Sequence, residues 1–137
     1  VEIMIVVALI ALLAVFALPN LLRTRHNANE TTAQSSLRTI SSAMAAYRAV
    51  NNTYPSILSE LGSSTVGGQD PGYLDDTLAQ GTRSGYIFRI QSADTDFYRV
   101  RATPETSGVT GSRVFILTED GVIQEQTTPA PVVAAFP

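Results

Sequence analysis

Few residues in this chain are able to do chemistry, and their placement says more than their number. Glu2 stands alone at the head of an apolar run, Ile3 to Leu18, within the opening VEIMIVVALIALLAVFALPN. A carboxylate in or beside lipid is expensive and marks function rather than anchoring. At headgroup level, near a helix N-terminus, the same charge would only complement the helix dipole. Both readings stand on the residues alone. His26 is the only histidine and has no partner ligands at metal spacing, so it reads as a surface residue. Asp70, Asp75 and Asp76, with Asp94 and Asp96 further on, are the carboxylates best able to gather a calcium ion. Their spacing matches no calcium-loop signature, and solvated turn aspartates are the plainer reading. Arg89, Arg99, Arg101 and Arg113 could grip phosphate. Nearby acids and a formal net charge of −3 favour ordinary solvated strands over a nucleic-acid partner.

No catalytic set emerges from these residues. The chain has no cysteine, which excludes a disulfide framework and a thiolate metal site. It has no G-x-S-x-G or P-loop spacing and no acid pair that can be placed in a pocket. Neither enzymatic activity, a cofactor nor a metal centre is expected. Asn29-Glu30-Thr31 and Asn51-Asn52-Thr53 fit the glycosylation sequon, a tripeptide frequent by chance in a Ser/Thr-rich chain. Up to Val50 the only aromatic residues are Phe16 and Tyr47, about 45 Å apart on an ideal helix, which is poor support for an aromatic electron path.

The elements that must carry these residues follow from periodicity. At 137 residues the chain is one small domain plus an appendage. The opening run lacks the positive n-region of a signal peptide. No remaining part of so short a chain could cover a helix that is apolar on every face. A membrane-spanning segment fits better: sixteen to twenty helical residues reach roughly 24–30 Å. About a dozen strongly apolar residues favour insertion by on the order of 5 kcal/mol, and Arg23 and Arg25 follow where headgroups would sit. Pro19 lacks an N–H and crowds the carbonyl four residues back, so it either kinks the helix or marks the end of its lipid-facing part.

From Asn20 to about Val50 the same helix continues in amphipathic form. Ala33, Leu37, Ile40, Met44 and Tyr47 recur at spacings of four and three, one stripe that packs under a sheet. The part between Arg23 and Ser36, RTRHNANETTAQSS, is markedly polar and reads as facing solvent or neighbouring subunits. Asn51-Asn52-Thr53-Tyr54-Pro55 ends the helix, and SILSELGSS makes a short helical turn. STVGGQDPGYLDDTLAQGTRSG then reads as a long Gly-rich linker with few apolar anchors. GYIFRIQS, DFYRVRAT and SRVFILTEDGVIQEQ alternate as strands. The last folds as a hairpin around Asp120-Gly121, a dipeptide suited to a tight turn. TTPAPVVAAFP, rich in proline, reads as an extended tail.

The stretch VEIMIVVALIALLAVFALPN resembles the N-terminal segment of type IV pilins and of the pseudopilins of type II secretion. Glu2 and Pro19 fall at the separation that family uses, and Met4-Ile5-Val6-Val7 matches its usual wording. The resemblance is specific over residues 1–22 and architectural beyond them. It departs from the family in lacking the glycine common in mid-run, where Ala11-Leu12-Leu13 stand. It implies about three further residues ahead of Val1, beginning with a methylated phenylalanine. It also implies roles for two residues. Glu2 would meet the N-terminal amine of a neighbouring subunit, an attraction of about 4 kcal/mol at 4 Å and an effective dielectric of 20. Because an unpaired buried charge costs several kcal/mol, that pair would fix register. The helix just before Pro19 would loosen as subunits pack.

The expectation is an α+β, pilin-like fold: one long N-terminal helix packed against a four-stranded antiparallel sheet. Residues 1–22 form the hydrophobic membrane or filament-core part, 23–50 the amphipathic half, 51–126 the globular head and 127–137 the tail. The expected function is that of a structural subunit, held in the inner membrane before assembly. The pilus assembly machinery would then build it into a homo-oligomeric filament on the cell surface. The alternatives are a secretion pseudopilin, which differs in machine rather than in physics, and a membrane-anchored binding domain that never polymerises.

Overall fold

The computed structural model describes residues 1–127. One helix, α1, runs from Glu2 to Asn51, about 75 Å at 1.5 Å per residue. It ends where the asparagines predict. Asn52 takes the left-handed conformation, φ 58°, and its N–H bonds the carbonyl of Arg48 at 2.8 Å, an αL cap that asparagine tolerates.

Beyond it, single 3-10 turns at Leu58–Leu61 and Ser64–Val66 lead to a short helix α2, Asp76–Ala79. Five strands follow: β1 Thr82–Arg83, β2 Tyr86–Ala93, β3 Tyr98–Pro104, β4 Arg113–Thr118 and β5 Ile123–Thr127. They pair in sequence order, all antiparallel. The architecture is therefore the expected α+β one, with five strands instead of four. The additional strand, β1, is two residues long, too short to show any alternation. It exists because Ser84 (φ 50°) and Gly85 (φ 76°) make the two-residue turn that returns the chain into β2, with the positive φ at both positions that a type I′ turn requires.

The alternation predicted for the strands holds. Tyr86, Phe88, Tyr98, Val100, Ala102, Phe115 and Leu117 are buried on one face of the sheet, and Ala33, Leu37, Ile40 and Met44 of α1 are buried against them. Tyr47 is half-buried at the end of that stripe, its ring edge-on to Tyr73 at 5.9 Å. Each fully buried large apolar side chain is worth about 1.5–3 kcal/mol, so the stripe is what fastens helix to sheet.

Three expectations change. The segment read as a linker with few anchors is packed: Leu74, Leu78 and Ala79 enter the same core. Its carboxylates organise it locally. Asp76 accepts from the Ser63 N–H and hydroxyl, both at 2.8 Å, bonds that hold its carboxyl below the usual carboxylate range. Secondly, the turn between β4 and β5 is longer than a two-residue hairpin. Leu117 pairs with Ile123 and only Gly121 has positive φ, while Asp120 accepts from the Thr118 hydroxyl and from the Val122 N–H at 3.2 Å. Thirdly, the proposed tail begins inside β5, since Thr127 pairs with Arg113; residues 128–137 lie outside the described residues.

Candidate assembly surface

Every residue from Val1 to Arg25 is exposed. The first half of α1 is thus a bare stem, about 35 Å long, whose most apolar stretch is long enough to cross a membrane and has no part buried by the rest of the chain. Ile3, Val7, Ile10, Leu13, Phe16 and Leu22 each leave more than half their surface open, and they point to all sides. Covering about a dozen such side chains is worth on the order of 20 kcal/mol. That exceeds the whole stability of a typical domain, about 5–15 kcal/mol, so exposure to water is strongly disfavoured and the stem is consistent with a membrane anchor.

Glu2 lies in the first turn of α1, where its charge complements the dipole, and it makes no ion pair among the described residues. Pro19 sits about 25 Å further along the axis. The helix passes through it unbroken, so in the single chain Pro19 neither melts the helix nor ends it. What remains is the carbonyl of Val15, which a proline four residues on leaves without its usual donor. Glu2 and Pro19 do not converge on a pocket; they are two marks on one linear surface.

The stem joins the head through residues of the stretch read as solvent-facing. Glu30 is buried. Its Oε1 accepts from the Ser112 N–H at 3.1 Å and the Ser112 hydroxyl at 3.3 Å, and its Oε2 lies 3.6 Å from the Nε of Arg113. Arg113 also reaches Glu125 at 3.2 Å, and the Asn29 amide donates to the carbonyl of Thr110 at 3.0 Å. Behind this clasp the Tyr86 hydroxyl donates to the Arg113 carbonyl at 2.9 Å. Burial first, and the charge of Glu30 second, push that phenol up to about 12. The sequence did hold a signal for Glu30: stepping the stripe Ala33, Leu37, Ile40, Met44 back by three lands on it. A polar stretch hides that signal when only apolar residues are counted.

The other candidates disperse. His26 is half-buried rather than free on the surface. It borders a recess with Leu22, Arg23, Gly108 and Val109, and its Nε2 is shut off from water without a partner among the described residues. Asp70 accepts from Ser64, Asp94 from the Thr95 N–H, and Asp96 pairs with Arg48 at 2.9 Å. Among the described residues no three potential metal ligands gather. Both sequon asparagines have their amides engaged, Asn29 as above and Asn51 with the Tyr47 carbonyl. Phe16 is exposed on the stem, remote from the Tyr47–Tyr73 pair in the head.

Among the described residues these candidates stay apart from one another. The arrangement offers an exposed apolar surface along the stem, joined at one end to the head through the Glu30 clasp. No family model matches the chain, and no curated protein matches it significantly.

Proposed function

We propose that this chain is a filament-building subunit of the type IV pilin kind, held by its stem in the inner membrane before assembly and packed through it against copies of itself afterwards. The observation that carries the reading is the bare stem. About 24 Å of helix, apolar on every side, begins beside a carboxylate that is unpaired among the described residues and belongs to a stem fixed at its other end to a folded head. Lipid alone would satisfy the apolar side chains and leave Glu2 only its complement to the helix dipole. A bundle of identical stems satisfies both, since each Glu2 can meet the amine of a neighbour and a slipped neighbour leaves a charge unpaired. Pro19 supports the same reading: a helix already lacking one backbone hydrogen bond there is the easiest place for it to loosen as stems pack.

The test is electron microscopy of the sheared cell-surface fraction, wild type against Glu2→Ala. Fibres in the first and none in the second, with the variant retained in the membrane, are expected. Fibres that survive the substitution would remove the charge pair from the mechanism. Stable membrane protein without fibres in either strain would favour a secretion pseudopilin or an anchored binding domain.

A further inference from the structure

The sheet face turned away from α1 carries a feature that neither the core nor the stem uses. Arg89 of β2 and Arg101 of β3 are register partners, so their Cα atoms are about 4.5–5.5 Å apart and their side chains leave the same face. Arg99, two residues before Arg101, adds a third positive charge to that face. Like charges placed directly opposite one another across a sheet are destabilising. No carboxylate compensates them: among the described residues the ion pairs of arginine involve Arg48 and Arg113 alone. The Nε of Arg101 is, moreover, shut off from water and has no acceptor among the described residues, a donor whose burial goes unrewarded. Between the two arginines lies an open depression of about 450 Å³, lined by Ile87, Arg89, Ile90, Gln91, Arg101 and Thr103.

We propose that this depression is an oxyanion site, in which Arg89 and Arg101 together hold one phosphate or carboxylate group. Guanidinium forks match such groups bidentately. An anion between the arginines converts their repulsion into two attractions and supplies the missing acceptor. Ile87, the register partner of Thr103, gives the group's carrier an apolar floor, and Gln91 and Thr103 offer polar contacts at its rim. The carrier is either a free anion or an acidic side chain of another copy, and the proposal does not depend on the filament reading.

The test uses the full chain in zwitterionic detergent micelles, with the arginine Nε–H signals followed by NMR. Inorganic phosphate is titrated at constant ionic strength against sodium chloride. The expected result is saturable shifts of the Arg89 and Arg101 signals, lost in Arg89→Gln, whose exposed side chain makes the substitution safe for folding. At ten times Kd, phosphate should raise the folded-to-unfolded ratio of the wild type about tenfold and leave that of Arg89→Gln unchanged. If the occupant is a neighbour's carboxylate, the same signals shift with protein concentration in the absence of phosphate. Shifts that stay linear, equal those in chloride and ignore protein concentration would overturn the site, leaving two solvated arginines.

Discussion

Removing Glu30 tests the clasp between helix and head most directly. The perturbation is Glu30→Ala, with Glu30→Gln as the shape-preserving companion. Two donors from Ser112 converge on Oε1, and hydrogen bonds to a charged group are worth about 1.5–3 kcal/mol. The contact with Arg113 adds little, about 0–1 kcal/mol, because that side chain is half exposed and keeps Glu125. Alanine returns a few tenths of a kcal/mol through helix propensity. The net expectation is a loss of about 2–3 kcal/mol for Glu30→Ala and about half that for Glu30→Gln, which keeps a neutral acceptor. For a head of roughly 100 residues the larger loss lowers Tm by on the order of 10 °C. The chain has no tryptophan, so unfolding in detergent micelles would be followed by tyrosine fluorescence and circular dichroism. A double-mutant cycle with Ser112→Ala should show coupling of about 1 kcal/mol. A Glu30→Ala protein within about 0.5 kcal/mol of wild type, with no coupling, would mean that the carboxylate is solvated and the clasp immaterial.

Other substitutions separate stem from head. Leu37→Ala, at a fully buried position, should destabilise the head by about 2.7–5 kcal/mol, whereas Leu13→Ala on the exposed stem should leave head unfolding unchanged; equal effects would contradict the division. Gly111→Ala would drive a Cβ into the Tyr86 hydroxyl, displace its bond to the Arg113 carbonyl and cost about 1–3 kcal/mol, readable in the same melts. Asp76 has its folded pKa lowered by Ser63. Its contribution is therefore complete above the unfolded value, about 3.9, and is lost as pH falls toward the lower folded value. Between about pH 5 and 3 the wild type should lose stability more steeply than Asp76→Asn, and superimposable profiles would dismiss the contribution of the Ser63 bonds.

Local pattern made much of this protein legible from its residues. The apolar run and the stripe Ala33, Leu37, Ile40, Met44 are periodic, and periodicity is a property of the chain itself. The same holds for the alternation of Tyr98, Val100 and Ala102, and for the helix end at Asn52. Glu2 and Pro19 were visible too, because a lone acid and a lone proline stand out against aliphatic neighbours. Tertiary structure alone decided the rest. Glu30 is buried because Ser112, 82 residues away, returns beside it. The Gly-rich segment is ordered because Leu74 and Leu78 find the core. Strand β1 exists because Ser84 and Gly85 fold it onto β2, and Arg89 faces Arg101 because the register of two strands puts them there. A charge prefers water and an apolar residue the interior, but what packs opposite decides whether that preference is met, and that partner is far away in the chain.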